Sequence, residues 1–333
     1  MRSEVLASAP GKVVLSGEYA VLDGAPAIAM AVNRRARVTL TSIAGDISEV
    51  KAPGYTDDVG RFQNTDGGIL WRNGQEYFRI VDSVWRAADV VQNGAKTLNL
   101  DTSEFIDACC RRKIGIGSSA ALTVALCAAV RQTEDAAATM EMAQRAHADL
   151  QGGVGSGVDV ACSLSGGLIE YRMAGSAVAR LDWPDRLLYR LIWTGVTAST
   201  KDRLQKLDAG ISRPSRVRLA GASEDMAMAW TSGDARSLLD EYKGYCEHLY
   251  QFSIDHHLGI FDAGHNELWR AASAENLVYK PCGAGGGDIG ILLGTDEAVL
   301  AAFAGKLAAN YTILDCKLSS VGVTMNAPEV ERL

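Results

Sequence analysis

The chain has 333 residues, which suits two domains or one large one, and 47% of them are apolar, enough for a sizeable core. A formal net charge of −7 argues against a broad nucleic-acid footprint, and no apolar run reaches the ~18 residues that span a bilayer. Glu4, Pro10 and Lys12 break any run a signal peptide would need, and the seven cysteines show no paired metal spacing, so reduced structural thiols in a cytoplasmic protein are expected.

In chain order, Ala7 to Asn33 alternates apolar runs with turn signals and predicts strands, continued by Val38 to Ile43. Residues 45–74 are polar and rich in Gly and Asp, which predicts loops and edge hairpins. Phe78, Val81, Val84, Trp85 and Ala88 have helical spacing. Ala120 to Val130 and Ala136 to Leu150 read as helices, the second ended by "QGGVGSG". "GGLIEYRM" and "LLYRLIWTG" read as strands. Helices are expected over Thr200 to Leu207, Arg213 to Thr231 and Ala235 to Phe261, then a glycine-rich loop into a strand, a helix over Leu300 to Ala309 and a strand-like tail. The mixture predicts an α+β protein, with a boundary near Pro184 separating 1–183 from 184–333.

Three stretches carry the chemistry. In "KIGIGSSAALTVALCAAV", Lys113 to Val130, glycines and serines stand directly before an apolar helix. Gly115 and Gly117 admit backbone conformations that other residues resist, Ser118 or Ser119 can cap the helix, and the first-turn amides suit a phosphate. The stretch lacks the Gly-Lys-Ser/Thr ending of a P-loop, and on its own it fits an ordinary capped core helix as well. In "APGKVVLSGEYAVLDG", Lys12 lies inside an apolar strand, where it must find a partner or snorkel outward. In "KPCGAGGGDIGILL", glycines at 283, 285, 286, 287 and 290 fit a backbone that passes close to a ligand or another segment.

These segments, in this order, resemble the GHMP kinase superfamily, and the likeness covers nearly the whole chain. "KIGIGSSAAL" is similar to the form found in its phosphomevalonate kinase branch, as are "AHADLQGGVGSGVDVA" (Ala146 to Ala161) and "WTGVTAST" (Trp193 to Thr200). The resemblance implies a GHMP kinase fold with a ribosomal S5 domain 2-like N-terminal part and a ferredoxin-like C-terminal part. It implies ATP and Mg²⁺ as cofactors and phosphorylation of 5-phosphomevalonate to 5-diphosphomevalonate. No nucleic-acid or membrane partner is expected, and a homodimer is left open.

By the same resemblance Lys12 and Asp159 are the catalytic residues. Gly115, Ile116, Gly117, Ser118, Ser119 and Ala120 would cradle ATP, with the Ser119 hydroxyl at the metal. Ser16, Glu18, Ser156, Gly157, Ser199, Thr200, Gly285 and Gly286 would border the acceptor, and Gly283 to Gly287 would close over the site. Read without the family, Asp159 fits a helix cap better than a catalytic role, and Glu18 fits a surface charge as well. One departure stands out: mevalonate kinases carry a magnesium-binding glutamate eleven residues before the catalytic aspartate, and here that position is Ala148, between His147 and Asp149. His147 is expected to be a packed helix residue. Two alternatives remain: a kinase for mevalonate or another small alcohol, and an inactive metabolite sensor.

Overall fold

The structure, a computed structural model, describes residues 4–325 apart from 66–67, 89–93, 134, 154, 199–202, 204–206 and 208–213. Two long antiparallel strands, β1 (Glu4–Ser16) and β2 (Ala27–Ile43), form its spine. The first six residues of β2 are all buried, because this half of the strand is covered on both faces. Beyond Arg35 burial alternates through Ala36, Val38 and Leu40, as in a strand with one wet face.

The polar stretch expected to form edge hairpins does so, as β3 (Ile47–Ala52), β4 (Thr56–Thr65) and β5 (Gly68–Asn73). With β6 (Ala95–Asp101) and the C-terminal β13 (Thr324–Met325) they extend a nine-stranded sheet in the order β13-β1-β2-β6-β3-β4-β5. In that sheet β7 (Leu168–Arg172) pairs with β2, and β8 (Ala177–Leu181) with β7. Helices α1 (Arg79–Ala87), α2 (Ser118–Arg131), α3 (Ala136–Leu150) and α4 (Val158–Ser165) form its helical layer. Ten of the fourteen residues of α2 are buried, which is why its sequence has almost no polar face.

A second sheet of four strands runs β10 (Val278–Pro281), β11 (Ile289–Gly294), β9 (Leu188–Trp193), β12 (Thr312–Leu314). Its period of two divides the core: Leu191, Trp193, Ile291 and Leu293 join the cluster shared with β1 and β2. Ile192 and Leu292 face the opposite cluster, with Leu268 of α7 (His265–Ala274) and Leu300 and Phe303 of α8 (Glu297–Leu307). Between them α5 (Pro214–Ser232) and α6 (Ala235–Asp255) bury Met226, Trp230, Tyr242, Tyr245 and Phe252 in the shared cluster. The helix expected to reach Phe261 stops at Asp255, since His257 and Gly259 take positive φ, and α7 is an element that the periodicity does not announce. The segment 200–207 lies almost wholly outside the described residues.

The tail returns to the first sheet. Ser319 bonds Ala31 and Gly167, and β13 (Thr324–Met325) pairs with β1. We keep the division 1–183 and 184–333 as a proposal, with this tail as a crossing segment.

One buried ion pair joins the two sheets. Glu18, two residues past β1, receives a hydrogen bond from the Lys280 ammonium of β10, and both side chains are excluded from solvent. The Tyr245 hydroxyl donates to the second Glu18 oxygen at 2.7 Å and accepts the Gly17 amide at 2.8 Å. Burial works against the Lys280 charge, yet Glu18 outweighs it and holds the ammonium's pKa above its ordinary value. Lys280→Met should therefore destabilise the protein by about 3–5 kcal/mol, because it leaves Glu18 buried and unpaired. Glu18→Gln combined with Lys280→Met should cost less than Lys280→Met alone. Urea unfolding midpoints of wild type and the two variants check this, and a double variant no more stable than the single one contradicts it.

Candidate active site

Lys12 owes its position to an irregular strand. The β1–β2 register shifts between Pro10 and Gly11, and such a bulge re-aims the side chains that follow. Gly11 passes so close to the segment before α2 that a Cβ there would lie 2.5 Å from the Ile116 carbonyl. The Lys12 amide bonds that same carbonyl at 2.9 Å. The lysine stem then runs across Gly117, where a Cβ would lie 2.9 Å from its Cγ and Cε. Lys12 therefore does not snorkel: it is 9% exposed, and its ammonium meets Asp159 Oδ1 at 3.0 Å. Burial alone would lower its pKa, but the Asp159 charge and hydrogen bond outweigh that and hold it above 10.5.

Asp159 lies in the first turn of α4, and the cap position before it belongs to Gly157, at φ 83°. The aspartate is thus not the helix cap. Its carboxylate is free for Lys12 and sits at the positive end of the helix.

The loop before α2 is built from Gly115 and Gly117, at φ 87° and 82°. Gly117 occupies the cap position, and neither Ser118 nor Ser119 makes a side-chain cap bond. The first amides of α2 are therefore left for an external acceptor. Ser119 is exposed and Ser118 half-buried beside them.

Lys12 stands between two cavities. The larger, of about 90 Å³, is bordered by Lys12, Tyr19, His147, Gln151, Ser156, Gly157, Asp159 and Gly283 among others. The smaller, of about 30 Å³, is bordered by Lys12, Gly115, Gly283, Ala284 and Asp288. His147 is buried as expected, but it also forms part of the larger cavity's wall, and burial depresses its pKa so that the neutral ring is favoured.

The structure brings Lys12, Asp159, Ser156, Gly157 and Gly115–Gly117 together, with Ser118, Ser119 and Ala120 following as the first turn of α2. Glu18 borders the larger cavity, but both of its oxygens are taken by Lys280 and Tyr245, and at 4% exposure it is no surface charge. Ser16 is buried away from both cavities, with no partner for its hydroxyl among the described residues. Gly285 and Gly286 pack on Ile260 and Arg203 rather than on a cavity, and within this loop Gly283 and Ala284 line both. Ser199 and Thr200 lie outside the described residues. Asp149 does not replace the acid missing at position 148: it faces α1, bonded to Ser83 at 2.5 Å and Arg86 at 2.7 Å.

Two residues were missed, Asp288 on the wall of the smaller cavity and Lys280 behind Glu18. Lys280 is signalled by a lone cation in an apolar strand, and Asp288 by a lone acid in a glycine run. For a metal, no group of three or more His, Cys, Asp or Glu sits together among the described residues. A Mg²⁺ carried on nucleotide phosphates needs only one or two protein oxygens, which Ser119 and a bordering carboxylate fit.

Residues 82–167 match the family described as GHMP kinases N terminal domain. The chain is 32% identical to phosphomevalonate kinase of Streptomyces sp. (strain CL190), over 88% of this chain and 91% of that protein. It is 28% identical to mevalonate kinase of Mus musculus, over 96% and 93% of the two chains. A structure of Streptococcus pneumoniae phosphomevalonate kinase in complex with phosphomevalonate and AMPPNP shares the fold at a TM-score of 0.77 and 17% identity, covering 94% and 99%. Fold and relatives define a small-molecule phosphotransferase. The chain belongs to the GHMP kinase family.

The Lys12–Asp159 pair makes a pH-dependent contribution to stability. Because the Lys12 pKa is raised, that contribution is fully present below 10.5 and is lost as pH rises through the raised value. The stability difference between wild type and Lys12→Met, which has no ammonium to titrate, should hold steady from about pH 7 to about pH 10 and shrink above. Urea unfolding across that range tests it; a difference that collapses near neutrality would point to a different titrating partner.

Proposed function

We propose that this kinase transfers the γ-phosphoryl group of ATP to 5-phosphomevalonate, giving 5-diphosphomevalonate and ADP. The observation that carries the reading is the buried Lys12–Asp159 pair, set between the open amides of α2 and a cavity able to take a small acceptor. Similarity to a phosphomevalonate kinase and the absence of an acid at position 148 support the choice of acceptor.

In this reading the nucleotide phosphates lie over the Gly115–Ala120 loop, held by the first-turn amides and the positive end of the helix. Mg²⁺, with Ser119 as a ligand, supplies charge neutralisation on those phosphates when bound. The acceptor occupies the larger cavity, against Ser156 and Gly157. One of its phosphate oxygens attacks the γ-phosphorus while the bond to the ADP oxygen breaks. Lys12 offsets the charge of the transferring group, which is where a fixed cation lowers the barrier most. Asp159 holds the ammonium in place. A phosphomonoester is largely ionised at neutral pH, so Asp159 has no proton to remove from this acceptor.

Mevalonate kinase relatives support a second reading, in which the acceptor is the free alcohol. Asp159 would then face a hydroxyl and act on its proton. The sensor alternative draws no support from a chain that retains Lys12, Ser119 and Asp159 together.

Lys12→Met should lower kcat about a hundredfold or more with little change in ATP affinity, since its contact develops in the transition state. The acceptor is decided by comparing kcat/KM for 5-phosphomevalonate and mevalonate at fixed ATP and Mg²⁺. A site built to bond a phosphate leaves buried donors unpaired when a hydroxyl arrives, and discrimination of ~10⁴-fold is within reach of such sites. Equal values, or a preference for mevalonate, would replace the acceptor and leave the family intact.

A further inference from the structure

Three carboxylates border the two cavities, and two of them are committed. Glu18 is spent on Lys280, and Asp159 on Lys12. The third is Asp288, on the wall of the smaller cavity with Lys12 and Gly115. Among the described residues its side chain is held by one backbone amide, that of Ala198, at 3.2 Å from Oδ1.

Its placement is closely determined. Asp288 has φ 54°, a left-handed conformation that a non-glycine residue adopts at a cost. Its amide bonds the Val196 carbonyl at 2.6 Å, and its own carbonyl accepts the Thr194 amide at 2.9 Å. The preceding Gly287 carbonyl is bonded by His265 Nε2 at 2.9 Å, while His265 Nδ1 meets the Tyr279 hydroxyl at 2.7 Å. His265 is fully buried, and burial lowers its pKa to about 4, so the ring is neutral and the Nε2 proton faces Gly287. These contacts hold the carboxylate against the nucleotide loop: a Cβ on Gly115 would lie 2.3 Å from Asp288 Cγ. Burial raises the Asp288 pKa, opposed by the Ala198 amide and by the more distant charges of Lys12, Arg203 and Lys113.

A carboxylate in a recess beside a phosphate-binding loop presents two anions to each other. Their repulsion is large where water is displaced, and a cation between them reverses it. We infer that Asp288 makes nucleotide binding metal-dependent: it opposes metal-free ATP and faces the divalent cation that accompanies ATP. The inference rests on the nucleotide site proposed above and assigns that site a carboxylate which the residue at position 148 does not supply. His265 is the positioning residue behind it, acting through the Gly287 peptide.

The test is the affinity of AMPPNP, measured by calorimetry in excess Mg²⁺ and again in EDTA, for wild type, Asp288→Asn and His265→Phe. Asparagine tolerates the left-handed conformation and keeps an acceptor for Ala198, so the loop is retained. Wild type should bind at least about tenfold more tightly with Mg²⁺. In Asp288→Asn the ratio should fall to about threefold or less, mainly through tighter binding in EDTA, and Mn²⁺ titration of the AMPPNP complex followed by EPR should show weaker metal binding. His265→Phe keeps the carboxylate but releases its mooring and should lower the same ratio. His265→Gln, which can still donate to Gly287, should restore it. An unchanged ratio in Asp288→Asn, or a wild-type ratio near one, overturns the inference while leaving the kinase reading in place. Failure of wild type to bind AMPPNP under either condition overturns both.

Discussion

The Glu18–Lys280 pair is the constraint on which the cleft depends. Glu18 follows Lys12 by six residues along the same segment, and Lys280 precedes by three the Gly283 that walls both cavities. The pair therefore fixes the distance between the strand that carries the central cation and the loop opposite it. Burying two charges is expensive, and separating them in place is more so. The cleft cannot widen at this end without stranding one of them. Tyr245 and Tyr242, both from α6, brace the same point, Tyr242 by donating to the Leu15 carbonyl at 3.0 Å. Elements from both sheets and from the helices between them thus converge on one short segment of chain.

Much of this was legible in the sequence, for physical reasons. Long strands such as β2 declare themselves by a change from continuous to alternating burial, and α2 by an apolar run too long for a strand. Lys12 was legible because a cation in an apolar strand demands a partner, though its partner, 147 residues away, could be named only through the family resemblance. The cap of α2 was misassigned. A serine before a helix usually reads as a cap, but two glycines at positive φ moved the cap position back to Gly117 and left both hydroxyls unused. Glu18 and Lys280 are far apart in the chain and each looks like an ordinary charge, so their burial emerges only when β1 and β10 are brought together. Helix α7 escaped because its amphipathic stripe is short, with three buried residues in ten.

The glycine-rich loop shows how composition can be read correctly and its consequence wrongly. Glycines so dense predict close approach, and close approach is found: Gly285 meets Ile260, Gly286 meets Arg203, and a Cβ on Gly287 would lie 2.7 Å from the Val196 carbonyl. They also invite the picture of a mobile flap closing over a substrate. The contacts argue against it. The Gly286 amide bonds the Ile260 carbonyl at 2.6 Å, the Gly287 carbonyl is held by His265, and the Tyr19 hydroxyl reaches across the cleft to the Ala284 carbonyl at 2.7 Å. Glycine here removes side chains so that backbone can be bonded from several directions at once, and a segment bonded in that way is a wall. Its conformational entropy is lost on folding rather than on binding. A preorganised wall suits a site whose work is to hold charges at fixed separations while a phosphoryl group passes between them.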